Sequence, residues 1–255
     1  GSGTPTDAID RTAKLYIGGK QTRPDNGYSK PVYSKSGDLI GHASLANRKD
    51  LRNAVEAARA AGGWAKATAH LRAQILYYLA ENLSVRAEEF AARINHLTGR
   101  RSGAQEVNLC LQRLFSAAAW ADKFAGDVRS VPMRGVALAM REPVGVIGAF
   151  ADDHTPLLGL VSVLAPALAM GNCVVAVASE PFPLAAADFA QLLETSDMPA
   201  GVVNLLTGSH RELAPHMAGH MDVDAVWTFS SNDLTQTIEA TSKTNLKRTL
   251  CDTLD

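Results

Sequence analysis

Residues 144–177 read VGVIGAFADDHTPLLGLVSVLAPALAMGNCVVAV. Two short runs, Val144–Phe150 and Cys173–Val177, are apolar without alternation. That is the pattern of strands buried on both faces rather than half-exposed ones. Between them, Leu157–Met170 is largely apolar and helix-compatible, with Pro166 inside it, and falls short of the roughly 20 residues a bilayer span needs. The rhythm continues with Val202–Leu206 and Val223–Trp227, each run separated from the next by about a dozen helix-compatible residues. Strands and helices in this alternation form parallel βαβ units, and the right-handed crossover rule winds them into an open sheet. The expected fold class is α/β, a Rossmann-like doubly wound parallel sheet.

Upstream the texture differs. Leu15–Ile17 and Pro31–Tyr33 are β-like and are separated by Gly18-Gly19 and by Pro24-Asp-Asn-Gly27, so one N-terminal hairpin is expected across Lys14–Ile40. Leu51, Val55 and Ala58 then recur at helical spacing behind the cap candidate Asn47, ending at Gly62-Gly63. Further helices are predicted over 71–83, 87–97 and 103–124. Leu76, Leu79 and Leu83 read as core residues. Val128–Arg141 reads as an extended, bent ribbon with Pro132 and Gly135 inside it, a partial β-flap near 128–142. Residues 1–13 read as a linker or scar, and 14–255 as one domain.

The 255 residues carry a formal charge of -1, which gives no general attraction to nucleic acid or to anionic lipid. Cys110, Cys173 and Cys251 are widely spaced and odd in number, which indicates neither a disulfide framework nor a metal site. A reducing, cytoplasmic location is expected. Gly145 and Gly148 sit within a strand rather than at a strand-to-helix turn, so they read as packing residues and not as a dinucleotide fingerprint.

Five segments carry a resemblance: Leu15-Tyr-Ile-Gly-Gly-Lys, Ala54-Val-Glu-Ala-Ala-Arg, Arg141-Glu-Pro-Val-Gly-Val-Ile-Gly, Ala167-Leu-Ala-Met-Gly-Asn and Pro199-Ala-Gly-Val-Val-Asn. In their order and spacing the chain resembles the aldehyde dehydrogenase superfamily from about Lys14 onward. Members of that superfamily oxidise aldehydes through a cysteine thiolate and pass hydride to NAD(P). The resemblance covers the cofactor-binding half and implies that the nucleophile lies in the other half. Position by position, the expected site is degenerate. His154, in Asp152-Asp153-His154-Thr155-Pro156, stands where the family places an oxyanion-stabilising Asn. Val177 stands where a Lys would hold the adenosine ribose, a loss of about 1.5–3 kcal/mol on the scale of charge-assisted bonds. Glu180 matches the second ribose ligand. Phe229 falls at the first Gly of the pyrophosphate turn, and Asp233 adds negative charge there. At the C-terminus, Asp252 meets the family's general base if no gap is placed, and Cys251 does with one gap.

From these matches the chain is expected not to be an enzyme by itself. The reading is a non-catalytic aldehyde-dehydrogenase-like domain with a structural, oligomerisation or partner-docking role, most like the second, truncated copy in aldehyde dehydrogenase family 16. No cofactor is expected, with weak NAD binding through Glu180 as an alternative, alongside half of a split aldehyde dehydrogenase. The expected partner is a second copy or a catalytic aldehyde dehydrogenase unit, met through Val128, Met133, Val136, Leu138 and Met140. No nucleic-acid or membrane partner is expected.

Overall fold

The structure is a computed structural model; it describes residues 12–123, 143–228, 236–238, 240–241 and, in backbone, 248–251. Five short strands open it: β1 (Thr12–Ala13), β2 (Leu15–Ile17), β3 (Lys20–Thr22), β4 (Ser29–Tyr33) and β5 (Leu39–Ser44). The single expected hairpin is in fact two. Gly18 and Gly19 have φ of 62° and 78°, the pair of left-handed residues that a tight hairpin turn demands. They fold β3 back onto β2, so β2 finds its partner locally and never meets β4. β4 pairs instead with β5, from Ser29↔Ser44 to Tyr33↔Leu39. Thr12 and Ala13, read as the end of a linker, pair in parallel with His42 and Ala43 of β5.

The helices follow the sequence closely. α1 (Arg48–Ala60) starts as expected at Asn47, whose side chain accepts from the Lys49 and Asp50 amides while Asp50 returns a bond to the Asn47 amide. This reciprocal box satisfies donors that a helix start leaves open. Leu51, Ala54, Val55 and Ala58 form its buried stripe. α2 (Gly63–Lys66), α3 (Ala69–Val85), α4 (Ala87–Thr98) and α5 (Gly103–Lys123) come next. Leu76, Leu79 and Leu83 are fully buried on α3.

The main sheet contains β6 (Val146–Phe150), β7 (Cys173–Val177), β8 (Val203–Leu206), β9 (Ala225–Thr228) and β10 (Arg248–Cys251), all parallel. Its order is β10-β9-β6-β7-β8-β2-β3, with the β2–β3 hairpin added antiparallel at the edge through Tyr16↔Leu205. α6 (Leu158–Ala169), α7 (Leu184–Glu194) and α8 (His210–Gly219) make the crossovers. Right-handed connections put α6 and α7 on one face; α8, which returns across the sheet to β9, lies on the other beside α1. α6 is buried from Gly159 to Ala169, between the sheet and α3 and α5. Its leucines and valines each contribute about 1.5–3 kcal/mol of burial, which is why this segment is apolar all round.

Several motif residues prove to be structural. Asn172 Oδ1 accepts from the Val144 and Gly145 amides at 2.7 and 3.1 Å, setting the entry to β6. Asn204 accepts from the Gly18 amide at 2.9 Å and donates to the Val174 and Gly201 carbonyls, tying the β2–β3 turn to the sheet. A Cβ on Gly148 would lie 2.5 Å from Met217 Sδ, and one on Gly145 would lie 2.3 Å from Asp224 Oδ2. Both glycines are packing residues, as their place in the sequence suggested. Among the described residues, no helix is long and apolar enough to cross a membrane. The flap residues Val128, Met133, Val136, Leu138 and Met140 lie outside the described residues.

Candidate functional site

In a doubly wound sheet, ligands bind beyond the carboxyl ends of the strands, where the strand order reverses. Here the chain runs from β6 outward to β7 and β8, then returns to β9 and β10 on the other side, so the reversal lies beside β6. The described walls of the crevice are the segment leaving β6 (Ala151–Leu157), the one leaving β7 (Ala178–Phe182) and the one joining β8 to α8 (Thr207–His210).

The first wall is tightly held. Asp152 Oδ2 accepts from the Thr155 amide and hydroxyl at 3.1 and 2.9 Å. Ser179 Oγ donates to the Asp153 carbonyl at 2.9 Å, and the Glu180 amide donates to Asp153 Oδ1 at 3.1 Å, which binds the first two walls together. Arg100 donates to the His154 carbonyl and lies 5.9 Å from the Phe182 ring centre. From α5, the nearly buried Glu106 accepts from the Leu157 and Leu158 amides at 2.9 and 3.2 Å. It thereby caps α6, which has no side-chain cap of its own at Leu157. Burial raises the Glu106 carboxyl above the ordinary carboxylate range, against the two amides and Arg100, which pull it down.

The second and third walls meet at Glu180 and His210. Glu180 Oε1 accepts from the His210 amide at 3.0 Å, and Lys30 Nζ donates to the Glu180 carbonyl at 3.1 Å. His210 is buried. Its Nε2 lies 2.6 Å from the Ala178 carbonyl; a carbonyl only accepts, so Nε2 carries the proton. The ring meets Phe150 edge-on at 5.4 Å, and its Nδ1 is 3.7 Å from Asp153 Oδ1.

The sequence-predicted residues are distributed unevenly around this crevice. Glu180 is in it. His154 is at its rim with an exposed side chain, and the structure uses its carbonyl rather than its imidazole. Val177 is fully buried in β7, paired with Phe150 and Leu206, and contributes no polar group. Cys251 ends β10, opposite Thr228 of β9. Phe229, Asp233 and Asp252 lie outside the described residues. The Asp152–Pro156 run is held by five side-chain-mediated bonds. Lys30, Arg100 and His210 were not singled out from sequence. For His210 a signal existed, a titratable ring directly after Gly208-Ser209 at a helix start; for the other two, 54 and 150 residues from their partners, none did.

The model of the aldehyde dehydrogenase family matches residues 22–253. Horse (Equus caballus) aldehyde dehydrogenase 1A1 is 33% identical over 265 residues, covering 97% of this chain and 52% of the relative. Pig (Sus scrofa) mitochondrial aldehyde dehydrogenase is 35% identical over 226 residues, covering 85% and 43%. The chain thus spans about half the length of the curated relatives it matches. Among solved structures, aldehyde dehydrogenase C of Pseudomonas syringae, in complex with NAD+ and octanal, superposes with a TM-score of 0.86 at 28% identity, over 96% of this chain and 51% of that one. These matches overturn the expectation that the chain is not an enzyme. That expectation rested on single positions, His154, Val177 and Phe229, whereas at least 85% of the chain aligns with aldehyde dehydrogenases.

Proposed function

Because the chain belongs to the aldehyde dehydrogenase family, we propose that it serves as the dinucleotide-binding half of such a protein, working with a nucleophile-bearing half outside these 255 residues. The observation that carries the reading is Glu180. Its Oε1 is anchored by the His210 amide at the crevice end of β7, and Oε2 has no hydrogen-bond partner among the described residues. A fixed carboxylate with one acceptor oxygen left over suits the paired hydroxyls of a ribose. The grip is weak, for two reasons. Val177 supplies no cation. Three carboxylates (Asp152, Asp153 and Glu180) surround the crevice, while Arg100 and Lys30 are turned to backbone carbonyls. We assign NAD a Kd of about 1 mM or weaker, roughly -4 kcal/mol.

Titration calorimetry with NAD and NADP on the wild type and on Glu180→Gln tests this. Millimolar binding that weakens several-fold in the variant supports it; binding indifferent to Glu180, or none at tens of millimolar, sinks it. Partner contact belongs to the same reading. From its apolar sequence pattern, the segment with Val128, Met133, Val136, Leu138 and Met140 is the surface for a second copy or for a complete catalytic unit. The latter is the arrangement of family 16, where a truncated half follows a full one.

A further inference from the structure

The dinucleotide reading above is the premise here, and His210 deepens it. We propose that the His210 imidazole is an internal occupant of the crevice, seated where the ribose end of a nucleotide would lie, and that it sets how tightly the crevice can hold one.

The argument is geometric. His210 is the first residue of α8, a position where a helix on this kind of sheet faces the ligand crevice. Its ring is instead turned back over the strand ends, with the side chain 5% exposed. Its hydrogen bond, its ring pairing and its nearest carboxylate all involve residues at or just past the carboxyl end of β6 or β7. Nε2–H donates to Ala178 O at 2.6 Å, the ring edge meets Phe150 at 5.4 Å, and Nδ1 stands 3.7 Å from Asp153 Oδ1. The same residue's amide holds Glu180 Oε1. A ligand hydroxyl approaching Glu180 from the crevice therefore meets a ring already packed against Phe150 and bonded to Ala178. The hold is one-sided: Nε2 makes the ring's one hydrogen bond among the described residues, to Ala178 O, and the Asp153 contact at 3.7 Å is beyond hydrogen-bond distance. Removing the ring leaves the residue-210 amide in place, so Glu180 stays anchored while the space opens.

A histidine that merely fills the core would behave differently, since its removal would cost stability and gain no ligand. The test is calorimetric titration of NAD and of AMP against the wild type, His210→Gly, His210→Phe and the double variant His210→Gly/Glu180→Gln, each checked for folding by circular dichroism and thermal unfolding. The glycine variant is expected to bind both ligands at least about tenfold more tightly than the wild type. The phenylalanine variant, which refills the volume, should show no gain, and the double variant should lose it. If His210→Gly fails to fold, His210→Ala carries the same test, with better helix propensity. A folded glycine or alanine variant with wild-type affinity overturns the inference. Wild-type binding at tens of micromolar also overturns it, together with the weak affinity assigned above, yet leaves the crevice standing as a dinucleotide site. Absence of binding in every folded variant removes both.

Discussion

Replacing Glu106 by alanine removes an acceptor that two amides share, those of Leu157 and Leu158 at 2.9 and 3.2 Å. Leu157 is fully buried, so water does not reach its amide to compensate. Hydrogen bonds to a charged group contribute about 1.5–3 kcal/mol each, so two would suggest about 3–6 kcal/mol. Against this stands the cost of burying the carboxylate, which the substitution relieves and which is visible in the raised Glu106 carboxyl. The net expectation for Glu106→Ala is a loss of about 2–4 kcal/mol in unfolding free energy. For Glu106→Gln, which retains a neutral acceptor of the same reach, it is about 0–1.5 kcal/mol. Urea unfolding at constant m-value reads both.

The pH arm has a defined sign. A carboxyl raised on folding binds its proton more readily in the folded state, so its contribution is fully present below the unfolded pKa. It declines as pH rises from the ordinary carboxylate range through the raised folded value. The wild type should therefore lose ground against Glu106→Gln as pH rises above the ordinary carboxylate range. An alanine variant within about 0.5 kcal/mol of wild type would refute the capping role, since even an ordinary lost cap costs about 1 kcal/mol. A wild type that gains on the glutamine variant with rising pH would refute the electrostatic part.

Two further outcomes are expected. Burial pushes the Cys173 thiol up to about 11, and raises Cys110 well above the usual thiol range, so at about pH 8 only roughly one Cys173 in a thousand is thiolate. A chromogenic disulfide reagent should titrate at most one thiol in the native protein, and all three after unfolding; rapid reaction of two or more would contradict the packing of β7 and α5. Light scattering should show association in the wild type that is lost in Leu138→Asp, because the apolar side chains of Met133, Val136, Leu138 and Met140 favour burial against a partner; monomers in both, at high concentration and with unchanged stability, would remove this segment as an interface.

Much of the scaffold was legible in the residues because its determinants are local. Strands buried on both faces must be apolar without alternation, as in Cys173–Val177. A helix start needs a side-chain acceptor within three residues, as at Asn47. Periodicity and capping act over a few residues, so a linear string records them. What a residue faces is decided by partners far along the chain. Leu15–Ile17 and Pro31–Tyr33 looked alike as strands, yet the Gly18-Gly19 turn and β8 claimed the first, and β5 claimed the second. Val177 stood in line with a ligand position by sequence, but the parallel ladder sets it between Phe150 and Leu206 in the core. Glu106 and Leu157 are 51 residues apart, and His210 and Ala178 are 32 apart. A buried amide accepts whichever acceptor the packed helices bring to it, and a ring turns into whichever space the strand ends leave. The aldehyde dehydrogenase scaffold was written in the order of its motifs; the capped loop and the occupied crevice were decided only when the sheet and its helices closed together.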